Sequence, residues 1–301
     1  LYGIALLYGS TGTTAIVPIA GHAGEHMENP VFLIGLALLL IGLLFKVAAV
    51  PFHMWVPDVY EGAPTTVTGF MSTGGKAAAF SVFLLIFAPK VVLAVAPLRD
   101  VLAVLAALSM IVGNVIAVAQ TSIKRMLAYS SIAHAGYILA GIVAANTFGS
   151  NGILFYLFAY TVMNLGAFGT LALLETAEGG NLAFEDYAGL SSRKPLLAAL
   201  MALFMFSLSG IPPFAGFFGK YYVFAGAVQA GFTWLAIVGV VMSVVSAYYY
   251  LRLVVVMYFR EGSGRSDVRV SRLGVAALVI SAAAILLIGL YPSLVLNLTA
   301  R

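Results

Sequence analysis

The sequence predicts an all-α, polytopic membrane helical bundle with two broken helices, and three observations carry that expectation. Of its 301 residues 62% are hydrophobic and only 9% charged, against about 45–50% and about 25% in an ordinary soluble domain. Apolar stretches at about 31–51, 65–88, 100–120, 126–145, 152–174, 196–228, 232–258 and 273–297 reach the ~20 residues that cross a bilayer as helix. The links between them are short and rich in Gly, Pro and charge, and no stretch shows the alternation of a β-barrel strand.

Composition also narrows function. With no cysteine, disulfides, thiolate metal centres, iron–sulfur ligation and a cysteine nucleophile are all excluded. The net charge of +4 is spread over the links and forms no basic stripe for nucleic acid. Phosphate-cradling loops are absent too. The opening LYGIALLYG is apolar but too short to cross, with no basic leader or cleavage site, and no initiator Met precedes it. It reads as part of a crossing helix, with an N-terminal portion expected before it.

Two segments have the wrong length for a plain crossing. Residues 31 to about 60 and 196–228 are each too long for one pass and too short for two. Each is interrupted by proline: Pro51 and Pro57 in the first, Pro212 and Pro213 in the second. Proline removes a backbone donor, and a membrane tolerates the freed groups only where they face protein or water. Broken helices of this kind line binding sites in transporters.

Charge in the links gives a sidedness. Lys124, Arg125, Arg193, Lys194, Arg260, Arg265, Arg269 and Arg272 fall on one face, and Lys90, Arg99 and Arg301 on the other. The richer face is expected in the cytoplasm, which puts the C-terminus outside. Arg252, following Tyr248, Tyr249 and Tyr250, reads as an aromatic and basic anchor at the interface.

Three charges do not fit this scheme, because Lys46, Lys76 and Lys220 lie inside apolar runs. A lysine at membrane depth costs roughly 2.5–3.5 kcal/mol, and such residues mark ion and proton paths. The plainer alternative is a lysine that snorkels to the interface or sits in a fixed pair. The 11 acidic residues all fall in links or near helix ends. A partner carboxylate for a buried lysine is therefore expected in the preceding N-terminal part, or from Asp58 or Glu61 folded inward.

Further polar groups lie on the helices. His134 shares its segment with Ser130, Ser131 and Tyr137, and an imidazole near its ordinary pKa of about 6.5 suits proton transfer. Tyr156, Tyr160 and Asn164 recur at the four-residue spacing that shares one helix face. Both sets could equally be glue between helices. His22, Glu25 and His26 match an inverted zinc-protease pattern. Gly21 and Gly24, in a link before Pro30, deny that pattern the helix it needs.

The blocks FKVAAVPFHMWVPDVYEGAP (45–64, with Lys76 beyond it), QTSIKRMLAYSSIAHAGY (120–137) and SLSGIPPFAGFFGKYYVFAGAV (207–228) closely resemble the antiporter-like membrane subunits of bacterial NADH:quinone oxidoreductase, respiratory complex I. Within them the wording is that of the subunit N family, and the similarity spans essentially the whole chain. The resemblance implies two inverted repeats, each with a broken helix, the first incomplete here. It divides the chain into 1–98 (end of the first repeat), 99–260 (second repeat) and 261–301 (final transmembrane helix).

The resemblance also implies roles. Lys46 and Lys220 match the broken-helix lysines, Lys76 the connecting lysine, and His134 a joining position. Together they imply a proton relay, with Ser130, Tyr137, Tyr156, Tyr160 and Asn164 as a supporting polar path. A glutamate on an earlier helix of the family, outside this chain, would pair with Lys46. No cofactor is implied in this chain. Flavin, iron–sulfur clusters and quinone belong to partner subunits, and the partners are other membrane-arm subunits and the lipid of a bacterial inner membrane. The rival readings are an Mrp-type cation/proton antiporter, a membrane zinc protease on His22, Glu25 and His26, and a purely structural bundle.

Overall fold

The computed structural model describes residues 1–21, 23–87, 89–175, 180, 182–262 and 270–299. In chain order the helices are α1 (Tyr2–Thr11), α2 (Ile16–Gly21), α3 (Pro30–Val47), α4 (Trp55–Gly62), α5 (Thr65–Phe70), α6 (Lys76–Ile86), α7 (Pro89–Ala94), α8 (Ala96–Val118), α9 (Ile123–Ala144), α10 (Thr147–Leu174), α11 (Leu190–Arg193), α12 (Pro195–Ser209), α13 (Ala215–Gln229), α14 (Thr233–Phe259), α15 (Arg272–Leu290) and α16 (Ser293–Thr299). A π-helical turn, Met71–Gly75, joins α5 to α6. Among the described residues seven helical spans are long and apolar enough to cross a bilayer, and the α12–α13 pair supplies a further, interrupted crossing.

The helix starts are encoded locally. The side chains of Asn29, Ser122, Asn146 and Ser271 accept from backbone N–H groups in the first turns of α3, α9, α10 and α15, satisfying donors that a helix start leaves open. The last predicted span differs from expectation. It stops at Leu290 and resumes only at Ser293, because Pro292 cannot donate into the ladder.

The centre of the bundle is α9. Of its 22 residues 20 are buried, and α4, α8, α10, α13 and α14 pack around it. Small residues set that closeness. A Cβ on Gly136 of α9 would lie 2.7 Å from the Ala106 carbonyl oxygen on α8, and one on Gly113 2.6 Å from the Ala133 nitrogen, so the two backbones touch as small-residue membrane interfaces do. A helix enclosed on every side can carry polar groups only if neighbouring helices satisfy them. His134, Ser130 and Ser131 therefore lie where the fold can reach them from several elements.

The two breaks match residue for residue. In the first, Ala48 adopts φ 65° and its N–H bonds to the Leu44 and Phe45 carbonyls; in the second, Gly210 at φ 88° bonds to Phe206 and Ser207. The next N–H repeats the pattern, Ala49 to the Leu44 carbonyl and Ile211 to that of Phe206, and then Phe52 bonds back to Ala49 as Phe214 does to Ile211. Both are left-handed helix caps of the Schellman type. On this register Lys46 falls on Leu208, and Asp58 on Lys220. The breaks are equivalent, but their charges are not.

Basic residues lie at both ends of the bundle. At one end Arg125 pairs with Asp58 at 3.0 Å and Glu61 at 2.7 Å, Lys124 donates to the Ala63 carbonyl, and Arg252 donates to the Gln120 carbonyl at 3.1 Å while covering the Phe184 ring. At the other, Arg99 donates to the Val143, Ala144 and Ala230 carbonyls, neutralising the open C-termini of α9 and α13. Arg265, Arg269, Arg301 and the side chain of Lys90 lie outside the described residues. Of the zinc-protease pattern, His22 also lies outside them. Ala23–His26 is a 3-10 turn with His26 stacked on Phe32, and no cluster of three or more His, Asp or Glu gathers among the described residues.

Candidate functional site

Lys76 and Lys220 are buried, at 3% and 5% exposure, and lie on opposite sides of His134. The Lys76 ammonium follows the π-helical turn directly, a distortion frequent at functional sites. It donates to the Ser131 hydroxyl at 2.6 Å and the Ser131 carbonyl at 2.5 Å, and sits 5.6 Å from the centre of the Tyr160 ring. Lys220 donates to the Ser209 carbonyl at 2.8 Å and lies 5.0 Å from the centre of the Tyr137 ring. The Ser209 carbonyl is available because α12 ends there. No carboxylate pairs with either lysine among the described residues, and Asp58 and Glu61, expected as possible inward partners, are committed to Arg125.

His134 joins the two halves. Its Nδ1 lies 2.7 Å from the Tyr156 hydroxyl and its Nε2 3.2 Å from that of Tyr250. Its ring is 4.9 Å from Tyr160 and 5.6 Å from Tyr137, the two rings over which the lysines sit. Lys76, Tyr160, His134, Tyr137 and Lys220 thus form one continuous row through the buried middle of the bundle. Tyr156, Tyr160 and Asn164 share a face of α10 as the spacing predicts, and Asn164 donates to the Tyr160 hydroxyl at 3.0 Å and to Ser72 at 2.8 Å.

Magnitudes separate the two lysines. A hydrogen bond from a charged group contributes about 1.5–3 kcal/mol and a desolvated cation over an aromatic ring up to about 2, against an insertion cost of roughly 2.5–3.5. Lys76, with two acceptors and a ring, is held firmly. Lys220, with one acceptor and a ring, is held less tightly and lines a cavity of about 510 Å³ between α13 and α14.

Other expectations fare differently. Ser130 is buried but donates to the Leu127 carbonyl at 3.1 Å, and the contact to Lys76 is made by Ser131. Lys46 is exposed at the end of α3, on a surface stripe with Val31, Ile34, Leu38, Ile41 and Phe45, and the structure does not bring it to the row. In that first break the Phe45 carbonyl accepts from the Trp55 indole N–H at 3.0 Å. Ser72, Asn114 and Ser243 stand in no motif of the sequence, and Tyr249 and Tyr250 read there only as interface markers. Polar residues in mid-crossing were the available signal.

A family model for the transmembrane part of NADH:quinone oxidoreductase and Mrp antiporter subunits matches residues 1–246. The chain belongs to this family. It is 52% identical over 99% of its length to NADH-quinone oxidoreductase subunit N of Trichlorobacter lovleyi, of which it covers 62%. A chain of respiratory complex I from Thermus thermophilus superposes with a TM-score of 0.85 at 40% identity, over 98% of this chain and 64% of that one. A chain of the Mrp complex from Dietzia shares the fold, with a TM-score of 0.86 over 99% of this chain and 63% of that one, at 24% identity. The chain spans a little under two thirds of the length of the relatives it matches. Like the family, it is a multi-pass membrane protein.

Proposed function

We propose that this chain is a proton-translocating, antiporter-like part of a membrane-bound NADH:quinone oxidoreductase. The observation that carries the reading is the row itself: two buried ammonium groups, unpaired with carboxylate among the described residues, on either side of an imidazole hydrogen-bonded to two tyrosines. Such an arrangement holds protons at membrane depth without fixing them in ion pairs. In this reading protons pass among Lys76, His134 and Lys220. Lys46 joins from the first break once its exposed face is covered within the assembly.

The electron-transfer chemistry is supplied elsewhere. Flavin, iron–sulfur clusters and quinone are held by partner subunits, and this chain performs no redox step. Its partners are other membrane-arm subunits, and it lies in the bacterial inner membrane with the Lys124–Arg125 end in the cytoplasm and its C-terminus outside. Identity supports this over an Mrp-type antiporter, 40% with the complex I chain against 24% with the Mrp chain.

The test is substitution in the membrane-embedded enzyme. Lys76→Met and Lys220→Met are expected to lower NADH-driven proton pumping by at least about tenfold while assembly persists. Unchanged pumping in both would remove the proposal. Purification of the native protein without a redox-active arm would favour the Mrp reading instead.

A further inference from the structure

Ser243 of α14 has a buried hydroxyl that no group of the protein meets with full hydrogen-bond geometry, although the Tyr137 hydroxyl lies beside it. It lines the same cavity as Lys220, Ser209 and Gly210. A buried hydroxyl without a partner carries a desolvation penalty of about 1–3 kcal/mol, so an orphan in a tightly packed bundle calls for a physical explanation. The cavity, at about 510 Å³, is open on its outer side past the exposed Val240 and Val244 and apolar over most of its wall, so a water stays in it only where it finds polar neighbours. Three kinds are at hand here. The Lys220 ammonium has three N–H donors, of which the Ser209 carbonyl takes one. The Ser243 hydroxyl can donate and accept. The Tyr137 hydroxyl faces Ser243 and Ser246.

The orientation of Tyr137 is fixed from behind. Asn114 of α8 donates to the Tyr137 oxygen at 2.9 Å and to the Met110 carbonyl at 2.7 Å, while its own carbonyl accepts from Tyr249 at 2.9 Å. Because Asn114 occupies an acceptor site on Tyr137, the phenolic proton is directed elsewhere, and Ser243 stands on that side. The Ser246 hydroxyl is engaged by the Ser243 carbonyl at 2.6 Å.

We infer that Ser243 and Tyr137 hold an ordered water against Lys220, and that this water is the group through which Lys220 exchanges its proton with the α13–α14 cavity. The inference deepens the proton-transfer reading and rests on it. In the step, an N–H bond of the ammonium breaks and an O–H bond forms on the water, leaving a neutral amine. The ordered water hands one of its own protons to a second water in the cavity, which becomes hydronium, so charge and atoms balance. Ser243 is a positioning residue in this scheme.

The test compares Ser243→Ala, Ser243→Thr and Lys220→Met in the intact membrane-bound enzyme, reading proton pumping, the solvent isotope effect on pumping and thermal stability. Ser243→Ala deletes a hydroxyl that no group of the protein meets with full hydrogen-bond geometry, so a merely structural role predicts unchanged or higher stability and normal pumping. Slowed pumping by about threefold or more, with an altered solvent isotope effect, unchanged stability and recovery in Ser243→Thr, is the expected result. Normal pumping in Ser243→Ala alongside loss in Lys220→Met would overturn this inference and leave the proton-transfer reading standing. Normal pumping in both would overturn the two together.

Discussion

Gly210 leaves the space that Lys220 occupies: a Cβ on Gly210 would lie 3.0 Å from Lys220 Cδ and 3.3 Å from its Nζ. The residue that ends α12 and the residue that carries the charge on α13 are thus fitted to each other across the break. Gly210 also sits at φ 88°, a conformation that costs an L residue about 1–2 kcal/mol. Gly210→Ala is therefore expected to act twice, lowering thermal stability by that order and displacing Lys220 from the Ser209 carbonyl. Thermal unfolding and pumping of the same preparation check it, and loss of stability with normal pumping would show that the lysine tolerates the shift.

The equivalent cap in the first break is Ala48, at φ 65°. Here the strain is present in the natural chain. Ala48→Gly is expected to relieve about 1 kcal/mol of it, offset in part by the greater freedom of glycine in the unfolded chain. A neutral or slightly raised melting temperature is the expected outcome.

His134 satisfies two buried hydroxyls at once, those of Tyr156 and Tyr250. His134→Phe keeps a ring of similar shape but strands both, at about 1–3 kcal/mol each. Adding Tyr156→Phe to that variant should restore part of the stability, with a coupling of about 0.5–3 kcal/mol in a double-mutant cycle. Pumping should stay low in both, since the imidazole is absent from each.

Ser131 offers Lys76 two acceptors, its hydroxyl and its backbone carbonyl. Ser131→Ala removes only the hydroxyl. A modest loss of stability, about 1.5–3 kcal/mol for a bond from a charged donor, and a pumping defect smaller than that of Lys76→Met are expected. An equal defect in the two variants would mean that the hydroxyl, rather than the ammonium, limits transfer.

Arg125 bonds Asp58 and Glu61 at a partly open end of the bundle, with side-chain exposures of 32%, 75% and 38%. Pairs of this kind contribute about 0.2–1 kcal/mol and weaken with salt. Arg125→Gln should lower stability by no more than about 2 kcal/mol, less at high ionic strength, and leave pumping intact.

The sequence by itself determined the class of fold, the position of nearly every crossing and the two breaks. Hydrophobic length and proline act locally, and a bilayer leaves few alternatives for a backbone that must satisfy its own hydrogen bonds. It also singled out Lys76, Lys220 and His134, because charge in an apolar run is costly wherever the chain goes. Only the tertiary structure decided which polar groups meet. Ser131 rather than Ser130 faces Lys76, since one step along α9 turns a side chain by about 100°. Asn114 enters the site from α8, whose approach to α9 is set by glycine packing, and Tyr249, Tyr250 and Ser243 enter from α14; no local pattern encodes either approach. Lys46, a candidate on the same ground as Lys220, faces outward in this chain, because burial depends on neighbouring helices and not on the hydropathy of a residue's own segment.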